Sequence, residues 1–284
     1  MEYGMLRLAV TTNAQTYERI REPLAEREIA VDHVQADERV LDPSAPPFES
    51  FDVGLVYPSR LPEGGVVDAL LGVPWVNDRE AMLRSRHKAE TIARLQQAGI
   101  PTPKTVAVSN PVDRSTLASV FDRFEPPVVI KPNSATRGAG VTTAADLDAF
   151  LGIVDYLALL HEHRTTADKS FLVQEYLPEA RDYRAMVIDG EYAGAVERRH
   201  PDRDRWKHNV HQGARAVGAE LPEEYRDIVE RTADTLDIPY LGVDLLVSDG
   251  RPYVTETNAR PTVDETAKYE PGFYDSLAGL IRKQ

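Results

Sequence analysis

The chain has no cysteine among its 284 residues, so disulfides, thiolate nucleophiles and zinc–thiolate sites are excluded. It has no run of 18 apolar residues, so no membrane-spanning helix is expected. Residues 1–10 do not read as a signal peptide. The expectation is a cytoplasmic protein with no membrane partner. Positive charge is also scarce: 33 Lys and Arg face 46 Asp and Glu, a net charge of −13. That balance argues against non-specific nucleic-acid binding, which needs a basic face. Only seven of the basic residues are Lys, and such an Arg-rich, acidic composition fits a high-salt cell or a GC-rich genome. Internal repeats and low-complexity tracts are absent. What the chain does have is length enough for a large core divided among two or three subdomains.

Patterning predicts an α/β fold. Strands are expected over 6–10, 29–34 and 53–57, with helices over 17–28 and 66–71 and extended chain over 74–77. This β-α-β order suggests a small parallel-sheet domain ending near residue 80. Asp78 is a candidate cap for one long helix reaching Ala98, where Gly99 stops it and Pro101 and Pro103 prevent continuation. Further strands are expected over 105–108, 128–131, 171–176, 183–188 and 192–199, and helices over 114–124, 145–161, 222–236 and 273–281.

The most informative stretch is Val243-Asp244-Leu245-Leu246 with Val254-Thr255-Glu256-Thr257-Asn258-Ala259, two apolar runs joined at Asp249-Gly250. Buried carboxylates are costly unless paired or bound to metal, and an oxygen-only ligand set suits Mg²⁺ or Mn²⁺. Glu256 and Asn258 share a face of their strand. Asp244 joins them only if it pairs with Glu256 or Asn258 and not with Thr255. A three-residue loop, Asp249 to Arg251 with Gly250 at positive φ, gives that register, whereas a two-residue loop would turn Asp244 away. On this hairpin alone, a metal site and two solvated carboxylates on a half-exposed sheet stand level.

Other groups carry weaker signals by themselves. Lys131 ends an apolar run and precedes a small-residue turn, Ser134 to Gly140, whose backbone could approach phosphate oxygens. No Gly-Lys-Ser/Thr opens a helix there, so it is not a Walker A loop. Gln174-Glu175-Tyr176-Leu177-Pro178 is a strand exit that could offer backbone groups to an adenine edge or be an ordinary sheet edge. Asp182 and Arg184 share a face, and Arg198 and Arg199 point oppositely, so only one of the latter pair can reach a common site. The basic run from Arg198 to Lys207 is either a solvated loop or an anion receiver. His208 and His211 read as solvated loop residues more readily than as a zinc pair.

In order along the chain stand Ser85-Arg86-His87-Lys88, Val129-Ile130-Lys131-Pro132, Val173-Gln174-Glu175-Tyr176, Glu197-Arg198-Arg199, Asn209-Val210-His211-Gln212-Gly213, Gly242-Val243-Asp244-Leu245-Leu246 and Glu256-Thr257-Asn258-Ala259-Arg260-Pro261. This succession resembles the ATP-grasp superfamily, and within it the RimK-type amino-acid ligases, over roughly residues 77–284. The resemblance implies an ATP-grasp fold with a small parallel-sheet N-terminal domain over 1–82, a central lid over 83–168 and a C-terminal antiparallel-sheet domain over 169–284. It implies an ATP-dependent carboxylate–amine ligase working through an acyl-phosphate. The partners would be an amino acid such as glutamate and a small-molecule or peptide carboxylate acceptor, and a homo-oligomer is compatible with it. Lys88 and Lys131 match the phosphate lysines, Gly138, Ala139 and Gly140 the flap over the phosphates, and Glu175, Tyr176 and Leu177 the adenine hinge. Asp182 and the segment Lys207, His208 and Asn209 match further ATP contacts. Asp244, Glu256 and Asn258 match the ligands of two Mg²⁺ ions. Arg198 or Arg199 is the expected oxyanion donor, with Arg184 as partner. Arg260 departs from the small residue usual in the family, and is read as binding a substrate carboxylate or else pairing with Asp264 or Glu265. Two alternatives stay open: a catalytically silent ATP-binding module of the same fold, and a kinase-like phosphotransferase.

Overall fold

The computed structural model describes residues 5–12, 14–135, 139–163, 168–199, 215–265 and 268–284. The first unit is a four-stranded parallel sheet of order β2-β1-β3-β4, formed by β1 (Leu6–Val10), β2 (Ile29–His33), β3 (Val53–Val56) and β4 (Trp75–Asn77). Parallel strands need crossovers, and α1 (Ala14–Ala25) and α2 (Leu61–Leu71) supply them between β1 and β2 and between β3 and β4. Helix α2 begins at Leu61, earlier than the expected 66. Pro62 suits a first helical turn, and Gly64 and Gly65 mask the pattern behind it.

The single long helix expected after Asp78 is two helices, α3 (Arg79–Arg86) and α4 (Lys88–Gln97), broken at His87 with φ −84 and ψ 89. Asp78 caps α3 through the Ala81 amide. The break has a tertiary cause. Asn133, just past β6 (Val128–Pro132), accepts the Lys88 amide on its carbonyl at 3.2 Å and the Ala89 amide on Oδ1 at 2.8 Å. Two of the orphan N–H groups of a new helix start are thereby satisfied by a residue distant in sequence.

A four-stranded antiparallel sheet of order β5-β8-β6-β7 follows, joining β5 (Thr105–Ser109), β8 (Ser170–Glu175), β6 and β7 (Thr142–Ala144). Helices α5 (Arg114–Phe121) and α6 (Leu147–His163) cover it around Phe121, Phe150, Phe171 and Val173. The third sheet is antiparallel, of order β11-β10-β9-β12-β13. Its strands are β9 (Arg181–Ile188), β10 (Glu191–Arg199), β11 (Arg215–Ala219), β12 (Tyr240–Ser248) and β13 (Arg251–Asn258). One face packs on α7 (Glu223–Leu236), α3 and α4. The other packs on α8 (Phe273–Arg282) and shares a core with the N-terminal sheet through Met186, Ile188, Tyr240, Val53 and Leu277. Strands β7 and β11 were not expected from the pattern; both are short edge strands.

Two expected boundaries shift. Strand β8 belongs by its pairing to the middle sheet, so a division at 168 would cut that sheet. Helices α3 and α4 pack on β13 and α7, although a lid beginning at 83 would assign them elsewhere. Among the described residues no helix is long and apolar enough to cross a membrane.

Candidate active site

The β12–β13 hairpin sets the register of the site. Asp244 faces Glu256 across the strands, as the oxygen-ligand reading required. The route to that register differs from the expected one. The loop has two residues, since Ser248 pairs with Arg251, and Asp249 and Gly250 both take positive φ, the pattern of a primed turn. Such a loop alone would oppose Asp244 to Thr255. A β-bulge between Asp244 and Leu245 inserts Thr255 and moves Glu256 into place.

Register lays the charges in rows across the sheet. Arg184 on β9 is paired directly with Asp244 on β12, and Arg198 on β10 with Asp182 on β9. Arg184 grips Asp244 with both arms of its fork at 2.7 and 2.8 Å. Arg198 donates twice to Asp182 Oδ1, at 3.0 and 2.5 Å, and lies 3.1 Å from Asp244 Oδ2. Asp182, Arg198 and Asp244 are all buried, and a buried charge persists only when paired. Burial pushes the Asp182 carboxyl up to about 6, with Arg198 pulling against it and Asp244 adding to it. Burial would raise Asp244 as well, but the Arg184 and Arg198 charges outweigh it and hold Asp244 at about 2. Arg198 is therefore the member of its pair that faces the interior. Arg199 points the other way and pairs with Glu197, as does Arg181. Asp182, expected on a nucleotide, is occupied by Arg198.

Two lysines converge beside this network. Lys88, the first residue of α4, reaches Glu256 at 3.2 Å and donates to the Ala135 carbonyl at 2.5 Å. Lys131, on β6, donates to the Thr255 carbonyl at 3.4 Å. Both are buried. Burial lowers the Lys131 ammonium to about 8, Glu256 opposing the shift and Lys88 adding to it. Two buried cations and a carboxylate are thus held at the seam between two sheets, an arrangement whose charge could receive a more highly charged anion.

Asp244, Glu256 and Asn258 suit a divalent ion in donor chemistry. All three offer hard oxygen, and Mg²⁺ commonly takes one or two carboxylates and completes its shell with water and phosphate. Among the described residues there is no cluster of three or more His, Asp or Glu, so a metal here would depend on such outside oxygens. Asp244 and Glu256 are held by Arg184 and Lys88, and Asn258 Oδ1 accepts the Arg260 amide at 2.8 Å.

Arg260 pairs with neither Asp264 nor Glu265. Asp264 is taken by Arg19 and Lys268. Arg260 crosses to the N-terminal sheet, where it donates to the carbonyls of Tyr57 at 3.1 Å and Thr11 at 3.0 Å. Burial and the like charge of Arg86 lower it to about 10. Ala139 and Gly140 form an exposed turn, and Gly140 at φ 74 lies so close to Pro132 that a Cβ would stand 2.8 Å from Cγ. Glu175 ties β8 to the start of β5, accepting the Lys104 amide at 2.6 Å, while Tyr176 and Leu177 lie half-buried at the strand exit. Gly138, Lys207, His208, Asn209 and His211 lie outside the described residues.

Three supporting residues carry no role in the sequence reading. Asn133 fixes the start of α4 and with it Lys88. Ser85 Oγ accepts the Ala259 amide at 2.9 Å. Asn77, fully buried, donates to the carbonyls of Tyr240 at 2.5 Å and Ala259 at 2.7 Å. A polar residue closing the apolar Trp75-Val76 run was the available signal for the last.

Residues 85–271 match the family model described as the RimK-like ATP-grasp domain. A protein of Enterobacter sp. (strain 638) named "Probable alpha-L-glutamate ligase" is 33% identical over 201 residues, 70% of this chain and 64% of that protein. One of the same name from Stenotrophomonas maltophilia (strain K279a) is 34% identical over 197 residues, 69% of this chain and 64% of that one. The chain thus spans less than two thirds of the length of these curated relatives. Among solved structures, a RimK domain ATP-grasp protein from Sphaerobacter thermophilus DSM 20745 superposes with TM-score 0.69 at 24% identity, covering 98% of both chains. D-alanine–D-alanine ligase from Bacillus anthracis complexed with ATP superposes with TM-score 0.67 at 18% identity, covering 98% of this chain and 96% of that one. At these identities the likeness concerns the fold.

Proposed function

The chain belongs to the RimK-like ATP-grasp family, and from that premise we propose that it is an ATP-dependent ligase joining a carboxylate to an amine. The observation that carries this reading is the convergence of Lys88, Lys131 and Glu256 beside Asp244, two buried cations with hard-oxygen donors at one seam. In this reading Lys88 and Lys131 hold the phosphate oxygens of ATP, and the Glu175–Leu177 exit meets the adenine. Asp244, Glu256 and Asn258 would hold two Mg²⁺ ions, which when bound supply Lewis-acid stabilisation of phosphate charge.

A carboxylate oxygen of the acid substrate attacks the γ-phosphorus, the bond to the ADP oxygen breaks, and an acyl-phosphate results. The amine then attacks the acyl carbon, loses a proton to solvent or a nearby base, and phosphate leaves with its bonding pair. The tetrahedral oxyanion needs a fixed cation. Arg198, held by Asp182 on the same face as Arg184, fills that role, and a donor of this kind contributes about 3–4 kcal/mol. Asp182 is then a positioning residue. The relatives' name favours glutamate as the amino substrate, with a small molecule or peptide as acceptor.

The test is phosphate release from Mg-ATP across amino acids paired with carboxylic acids, with mass spectrometry of the products. A ligase yields ADP, free phosphate and a mass gain of one condensed amino acid. A stable phospho-product would instead favour a phosphotransferase, and ATP binding without turnover a silent module.

A further inference from the structure

Two half-buried arginines, Arg86 and Arg260, take no part in the reaction just described. The interior arginines Arg184 and Arg198 are matched to carboxylates. Arg86 and Arg260 have no carboxylate within 4 Å among the described residues, and both are half-buried, which lowers the pKa of each. Their anchors are backbone carbonyls. Arg260 reaches those of Thr11 and Tyr57, and Arg86 Nη2 reaches that of Ser59 at 2.6 Å. These bonds leave most of the N–H groups of both guanidinium forks without a partner among the described residues.

The place matters as much as the charge. Thr11 follows β1, and Tyr57 and Ser59 follow β3, so the pair sits at the carboxyl ends of parallel strands, where open α/β sheets bind ligands. Thr12 Oγ1, buried in the same segment, has no hydrogen-bond partner among the described residues. Along the chain Arg86 stands two residues before Lys88, and Arg260 two after Asn258. The pair therefore flanks the lysine–carboxylate cradle on its N-terminal-sheet side. Asp37, whose charge acts on Arg260, is itself paired with Arg60 at 3.2 Å. In a chain of net charge −13, these two arginines stand without a carboxylate partner among the described residues. A paired, planar fork is the group that recognises carboxylate bidentately.

We propose that Arg86 and Arg260 form a binding site for a carboxylate of the amino substrate, a group that takes no part in bond formation, set against the N-terminal sheet beside the phosphate cradle. The proposal rests on the ligase reading only for the claim that such a substrate is used. The phosphate lysines claim the nucleotide, so this second cationic site is free to sort substrates by an acid group that takes no part in bond formation.

The test is calorimetric binding to the full chain of glutamate, glutamine and isoglutamine, each with and without Mg-ADP. The two amides neutralise the side-chain and α-carboxylate in turn, so they show which acid group is held. Glutamate is expected to bind about tenfold or more tightly than one of the amides. Arg86→Gln and Arg260→Gln should each abolish that preference and leave ADP affinity unchanged. Arg260 also ties Thr11 and Tyr57 to the hairpin. If its variant does not fold, Arg86→Gln, which keeps those ties, decides alone. Equal binding of acid and amides, no binding of any of them, or a preference that survives Arg86→Gln overturns the proposal. Failure of ADP to bind overturns the ligase reading instead, and glutamate binding without ADP still judges the arginines.

Discussion

Arg198 and Arg199 are adjacent, of one residue type, and each contacts a carboxylate at 2.5 Å, yet their removal should differ greatly in cost. The Arg198 side chain is 9% exposed and that of Arg199 is 61%. An exposed ion pair contributes about 0–1 kcal/mol. Breaking a buried pair leaves a charge without compensation and costs about 3–5 kcal/mol. Arg198→Met should therefore destabilise by about 4 kcal/mol and Arg199→Met by less than about 1. In urea, with a slope near 3 kcal/mol per M for a chain of this size, the midpoints should separate by about 1 M. The penalty should also depend on pH. Burial already lifts Asp182 from 3.8 to about 6, and loss of Arg198 raises it further. Folded Arg198→Met then binds a proton that the unfolded chain does not, so its deficit shrinks as pH falls from about 8 to about 5. Adding Asp182→Leu should recover part of the loss, because the orphaned charge is gone. Unfolding followed by circular dichroism at both pH values checks all of this. Equal midpoints for the two single variants, or a gap that does not move with pH, would refute the account of the buried network.

Lys131 is lowered by burial from 10.5 to about 8, so in the nucleotide-free chain its charge is lost as pH rises through that value. Mg-ADP affinity should weaken above about pH 8, and Lys131→Arg should flatten the profile, read by calorimetry across pH. The same shift has a stability counterpart. Between about 8 and 10.5 the unfolded chain keeps a proton that the folded one releases, so the cost of burying this charge is relieved as pH rises through that window. Asn77 donates to two carbonyls and accepts the Tyr240 amide at 3.3 Å. Asn77→Leu should cost at least about 2 kcal/mol, since each buried group left unsatisfied costs about 1–3 kcal/mol; a thermal midpoint matching the parent would contradict that role.

The alternation of short apolar strands with helical segments made the parallel sheet legible, because local patterning dictates which segments are buried. The hairpin carboxylates were legible for a related reason: acids inside apolar runs demand a partner. Their pairing was inferred correctly through the wrong turn. A bulge is a one-residue irregularity with no signature in side-chain type, so a two-residue loop plus an inserted Thr255 was indistinguishable in sequence from a three-residue loop. The break at His87 was hidden likewise, because the residue that caps α4 is Asn133, more than forty positions away.

By itself the sequence determined which chemistry was available: no thiols, scarce lysine, and an ordered set of Lys, Arg, Asp, Glu and Asn on strands and helix starts. That much follows from composition and short-range periodicity. Which groups meet was decided by tertiary structure. Arg198 rather than Arg199 turns inward because β10 lies beside β9 in one register. Arg260 crosses to Thr11 and Tyr57 instead of pairing with a nearby acid, because the N-terminal sheet docks on the hairpin. Such contacts join residues up to 249 positions apart, a separation over which side-chain patterning along the chain carries no information.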